Sequence, residues 1–256
     1  MNPGSCVRNV AALWLFALVV PVCCATAQKT DGAAAPAASS PLGAVPAPLD
    51  VHAIVQEMEQ HNRVRAAELA SYTDRRHYKV TYRGYDLHLT ASMVVDATYI
   101  SPSTKQFRIV SQRGSKLLVD HVLKKLLEAE QEAARNPSET QLDAANYDFT
   151  LLGTQSVAGR PCYVLHAEPK SSSRLLFRGR VWIDARDFAV SQVEAEPARN
   201  PSFWIRGTTI HHVYARTGPF WFPASDRSVT SVRVGGSAVL TIDYGVYHPV
   251  ARDLKP

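Results

Sequence analysis

The sequence predicts a mainly β fold of the α+β class, a long antiparallel sheet with two helices. Three observations point there. About eleven short segments alternate apolar and polar residues with period two, bounded by turn residues. They succeed one another at spacings that suit one continuous antiparallel meander. Only two stretches carry helical periodicity instead. A sheet of this size curls, because open twisted sheets seldom exceed ~10 strands. All-β units of more than ~200 residues are ordinary single domains, so no second domain is required.

The elements follow in chain order. Arg8 precedes the apolar run Val10 to Val20, and Ala25-Thr26-Ala27 supplies the small residues of a cleavage site. Residues 1–27 therefore read as a secretory signal peptide cut after Ala27, leaving a soluble protein in the periplasm. The apolar run is short of the ~20 residues of a membrane span. Val20-Pro21-Val22 before Cys23 is a poor lipidation signal, so no lipid anchor is expected. Residues 28–49, rich in alanine and proline, read as a disordered linker, and residues 50–256 as one domain. Asp50 can cap a helix whose Val51, Ile54, Val55 and Met58 recur at helical spacing, to about Leu69.

Strands are expected next over HYKVTY (77–82) and from Leu87 to Val95, joined near Gly84 to Asp86. The stretch KQFRIVSQRGSKLLVD reads as a further strand pair around Gly114. Asp120 is then expected to cap a second helix, with Val122, Leu123, Leu126 and Leu127 on one stripe, ending before Pro137. Seven more strand segments follow, from YDFTLLG to SAVLTIDYGVY. Among them, residues 174–196 read as a hairpin that turns at Asp184 to Asp187, with Val181 and Ile183 on one face and Trp182 on the other. The aspartates are assigned to the turn rather than to acid/base chemistry, since no positioned partner is visible.

Composition excludes several classes. The formal net charge is +5, one unit lower once Arg8 is removed, and basic residues are interleaved with acids. Neither nucleic acid nor an anionic surface is demanded as a partner. Of the four cysteines, cleavage leaves only Cys162, which alternation places in a strand as a small apolar residue. His211 and His212 are adjacent, so on a strand they diverge and form no zinc pair; no metal and no cofactor are expected. Asn136 and Asn200 are each followed by proline, which excludes them as glycosylation acceptors. No nucleophile motif, phosphate-binding loop or dinucleotide glycine pattern occurs, so the chain does not read as an enzyme.

Phe220-Trp221-Phe222-Pro223 places large apolar surface on both sides of one strand. Either both faces are covered, or one looks into a cavity that holds something apolar. Together with Gly179-Arg180-Val181-Trp182-Ile183-Asp184 and the terminal Tyr244 and Tyr247, this run resembles the bacterial outer-membrane lipoprotein-sorting proteins. Those are the LolA and LolB carriers and the related N-terminal domain of RseB/MucB. The resemblance spans about Asp50 to Tyr247. It implies a half-open antiparallel barrel whose concave apolar face, covered by helices, receives acyl chains of lipoproteins or similar ligands. It implies candidate cavity-lining aromatics at Trp182, Phe203, Trp204, Phe220 and Trp221, although aromatics of this kind are more often plain core than ligand wall. Its partners would be a lipoprotein acyl chain or other apolar ligand. In the alternative, a regulatory or scaffold module of the same fold would bind another envelope protein. The residues after Tyr247 are expected to add no second domain of the RseB kind.

Overall fold

The computed structural model describes residues 50–200, 202–233 and 235–252. The expected signal peptide and linker lie outside the described residues. Helix α1 (Val51–Glu68) opens the fold, with Asp50 at its N-cap. The Asp50 carbonyl accepts from the Ile54 amide at 3.1 Å, while its side chain makes no capping bond. Three strands follow, β1 (Leu69–Arg83), β2 (His88–Ile100) and β3 (Thr104–Gly114). The chain then runs through α2 (Lys116–Leu118), a π-helical segment (Val119–Leu123) and α3 (Lys124–Arg135). Seven strands make the second half: β4 (Tyr147–Val157), β5 (Arg160–Pro169), β6 (Phe177–Asp184), β7 (Val190–Pro197), β8 (Ile205–Thr217), β9 (Phe220–Val232) and β10 (Ser237–Tyr244). A short β11 (His248–Ala251) ends the described chain.

All eleven strands join one antiparallel sheet, in the order β3-β2-β1-β10-β9-β8-β7-β6-β5-β4. β11 pairs with the first residues of β1, beyond the point where β10 stops. β3 and β4 form the two ends of this order and do not pair with each other, so the sheet stays open. The helical stretch from 116 to 135 is the connection that carries the chain from one edge to the other.

Two expectations need correcting. SKLLVD is not a strand: the chain turns at Gly114, whose φ is +90°, and goes straight into helix. With Leu118 and Val119 included, the buried positions 118, 119, 122, 123, 126 and 127 recur at helical spacing. Asp120 accordingly lies inside the helical run and is not its cap. It accepts from Lys124 at 2.8 Å and lies 3.0 Å from Lys116, one turn away on either side, and these cations pull its carboxyl down to about 2. The strand lost there is replaced by β11, in the tail after Tyr247. β1 also starts at Leu69, well before His77, so α1 passes into the sheet without a loop.

Register shows which residues share a face. Tyr78 and Val80 on β1 stand opposite Met93 and Ala91 on one side and Ile242 and Leu240 on the other. Moving across the sheet, Ile242 faces Asp226, Asp226 faces His212, His212 faces Val193, Val193 faces Val181, and Val181 faces Leu165. Both helical segments pack on this one face. Leu118, Leu123 and Leu126 cover the β1, β2 and β10 part, while Ile54, Val55 and Met58 of α1 cover the β5, β6 and β7 part.

Candidate functional site

The helix-covered face consists of two apolar clusters with polar groups between and beside them. The first cluster holds Tyr78, Val80, Met93, Leu240 and Ile242 under the second helical stretch. The second holds Leu165, Val181, Ile183, Val193 and Tyr214 under α1. Between them the β8–β9 ladder presents Thr208 opposite Thr230, Ile210 opposite Ser228 and His212 opposite Asp226. The two threonine hydroxyls lie 2.9 Å apart and satisfy each other.

A buried ion cluster fixes α3 to the sheet. Glu130 sits on the buried stripe of α3 and is 1% exposed, as is Arg76 on β1. Arg76 donates to Glu130 at 2.8 Å and to both carboxylate oxygens of Asp74 at 2.7 and 3.1 Å. Glu130 also accepts from Lys105 at 2.9 Å and from the Tyr78 hydroxyl at 3.1 Å. Two carboxylates thus meet two cations in a water-poor setting, and the guanidinium lies over the Tyr244 ring at 4.8 Å. Burial on its own would raise the Glu130 carboxyl, yet Lys105 and Arg76 outweigh it and hold it below the usual glutamate range.

α1 is tied down at the β6–β7 turn. Arg65 donates to the carbonyl oxygens of Asp187 at 2.7 Å and Phe188 at 3.2 Å. Asp184, 0% exposed, accepts from the Arg186 and Asp187 amides at 2.9 and 2.8 Å and takes a two-pronged bond from Arg160 at 2.5 and 2.8 Å. Burial pushes its carboxyl up, and the Arg160 and backbone donors more than reverse that. The aspartates therefore serve the turn, as the sequence suggested.

The five expected aromatics do not share one surface. Trp182 is buried with Cys162 and Val164, on the face opposite Val181 and Ile183, and its Nε1 donates to Gln155 at 2.9 Å. Phe203 and Trp204 lie before β8, 75% and 37% exposed, edge to face with each other. Phe220 is buried beside Phe222, Tyr247 and Leu69 in a third cluster. Trp221 points the other way, packs against the α1 cluster and donates to Asp187 at 3.0 Å. Phe220 and Phe222 are thus buried in the third cluster, while Trp221, on the other side, is half-buried against the α1 cluster.

Cys162 is a buried free thiol whose sulfur lies 3.4 Å from the Ser191 hydroxyl, and burial pushes its pKa up. His212 is buried and His211 is not, the divergence expected of adjacent strand residues. Among the described residues no group of three or more His, Cys, Asp or Glu side chains is poised to hold a metal, and no helix is long and apolar enough to cross a membrane. A groove of about 730 Å³ at the β1–β3 end is lined in part by Arg75, Asp96 and Arg108, and Asp96 already pairs with both arginines.

Sequence reasoning missed Arg76, Glu130, His212 and Asp226. Two of these left a signal. Arg76 continues the buried alternation of Tyr78, Val80 and Tyr82, and Glu130 interrupts the apolar stripe of Leu126, Leu127, Ala133 and Ala134. A charge at a core position implies a buried partner.

The open antiparallel sheet with both helical segments on one face agrees with the half-open form that the resemblance to the lipoprotein-sorting and MucB/RseB proteins implies. The family model of the MucB/RseB N-terminal domain matches residues 94–188, from β2 to the β6–β7 turn. Solved structures similar to the chain include an outer membrane lipoprotein-sorting protein domain from Vibrio parahaemolyticus, at 13% identity and a TM-score of 0.43, covering 79% of this chain and 93% of that one. A LolA superfamily protein from Nitrosomonas europaea is 14% identical with a TM-score of 0.35, covering 81% and 96%. The Pseudomonas aeruginosa MucA/MucB complex contributes a chain 12% identical with a TM-score of 0.27, covering 77% and 100%. No curated protein sequence matches.

Proposed function

We propose that this chain is a non-catalytic, periplasmic carrier that holds an acyl chain or other apolar ligand between its sheet and helices, after export and cleavage behind Ala27. The observation that carries the reading is that both helical segments lie on the same face of an unclosed sheet, over two separate apolar clusters. A helix that shifts on such a face exposes apolar surface without breaking a strand pairing. The aromatics proposed to meet ligand are drawn from Trp182, Phe203, Trp204, Phe220 and Trp221. Trp221 is the first choice because it packs under α1.

The experiment measures binding of a fluorescent fatty-acyl probe, together with the unfolding midpoint, for wild type and for Trp182→Ala, Phe220→Ala and Trp221→Ala. Truncating a packed aromatic costs ~3 to 5 kcal/mol, whereas a ligand-contacting one loses binding with smaller loss of stability. Trp221→Ala is expected to show the second pattern. The second reading, a module that binds another envelope protein, is favoured by the match of residues 94–188 to the MucB/RseB N-terminal domain. Absence of any acyl binding by wild type, with no lipid copurifying by mass spectrometry, would transfer the assignment to it.

A further inference from the structure

Among the described residues, one atom in the polar stripe of the helix-covered face has no hydrogen-bond partner. Nδ1 of His212 lies 2.5 Å from Oδ1 of Asp226, and the Tyr244 hydroxyl donates to Oδ2 at 2.6 Å. A carboxylate has no proton to give, so the ring proton sits on Nδ1 and is donated to Asp226. A neutral imidazole with that tautomer keeps its lone pair on Nε2. That atom is buried without a hydrogen-bond partner, in a residue only 4% exposed. Its surroundings on the same face are apolar: Ile210 and Tyr214 along β8, and Val193 across on β7. The neighbouring threonine pair is already satisfied within itself. A buried acceptor left empty is destabilising, and native proteins seldom leave one without a reason.

We propose that Nε2 of His212 is the polar anchor of the ligand site, accepting a hydrogen bond from a hydroxyl or amide N–H at the head of an amphiphile. The proposal rests on the carrier reading above. The amphiphile's chain lies along the apolar clusters that flank the stripe, and Asp226, accepting from Nδ1, leaves the lone pair of the neutral ring on Nε2. Acyl alcohols, acylglycerols and acyl amides fit this chemistry. An ester with no donor does not, and an ionised fatty acid lacks a donor and also meets the negative charge of Asp226.

The test compares glyceryl monooleate with methyl oleate, which share a chain but differ in having a hydroxyl to donate, by displacement of a fluorescent acyl probe. Wild type is expected to favour the glyceryl ester about five- to tenfold, the difference one buried hydrogen bond supports. His212→Phe removes that preference by weakening only the glyceryl ester, and His212→Gln, whose amide oxygen can accept, restores part of it. Equal affinities in wild type, or a preference that survives His212→Phe, overturn the anchor and leave the carrier reading standing. Failure of both esters and of the probe to bind removes the carrier reading and the anchor with it. Should the variants not fold, ¹⁵N-histidine spectra of wild type decide. The unprotonated Nε2 resonance of His212 must move upfield with glyceryl monooleate and stay put with methyl oleate; no movement at saturation overturns the proposal.

Discussion

Glu130 is where a single side chain holds the most. Replacing it with alanine leaves Arg76 and Lys105 buried with one carboxylate between them. Breaking a buried pair from one side typically costs ~3 to 5 kcal/mol. Glu130→Ala is therefore expected to lower the urea midpoint sharply, and an unchanged midpoint would show that α3 is held by its leucines alone. The same residue gives a pH signature. Its carboxyl is held below the ordinary value of ~4.3, so the folded state favours the ionised form. The stability this contributes is present above that ordinary value and is lost as pH falls through the lowered one. Wild type should lose stability in that acid window, and Glu130→Gln, starting lower, should lose less there. Cys162 behaves differently: its thiol is buried and raised in pKa. Folded protein is expected to leave a thiol reagent unreacted at neutral pH and to react once unfolded, and Cys162→Ala should cost no more than ~2 kcal/mol.

At the level of elements, the β6–β7 hairpin depends on backbone approach. Gly179 pairs with Ala167 on β5 and Ala195 on β7. A Cβ added there would fall 2.2 Å from the Glu194 carbonyl oxygen and 2.6 Å from the Ala195 Cα, both backbone atoms with little freedom to yield. Gly179→Ala is expected to cost ~1 to 3 kcal/mol or more through overpacking, measured as a lower thermal midpoint. The first glycine of the Gly-Arg-Val-Trp-Ile-Asp run is thus explained by strand contact. Its last residue, Asp184, is explained by the turn it caps and by Arg160. Neither explanation involves a ligand.

For the molecule as a whole, the sheet runs unbroken from β3 to β4. β8, β9 and β10 belong to ladders that join the two apolar clusters, so the halves should not unfold separately. We propose that residues 50–256 form one domain. A chain beginning at Asp50 is expected to unfold in a single transition, with a midpoint equal to that of a chain beginning at Gln28. Two transitions, or a midpoint lower by several degrees, would show that residues 28–49 contribute to the fold or that the clusters are independent.

The sequence alone determined what depends on neighbours along the chain. Period-two alternation placed Val181 and Ile183 opposite Trp182, and turn chemistry marked Asp184 to Asp187. The helical spacing of Ile54, Val55 and Met58 identified α1. All of these follow from backbone geometry within a few residues. It misplaced the strand–helix boundary at Ser115 to Asp120, because a short apolar run fits either period until Gly114 is seen to turn the chain. The tertiary structure alone decided what meets across the sheet. Arg76 and Glu130 are more than fifty residues apart in the chain. His212, Asp226 and Tyr244 lie on three different strands. Whether such a group is a surface charge or a buried partner is settled by register and by where a helix comes to rest, and neither is encoded in the spacing of any one segment.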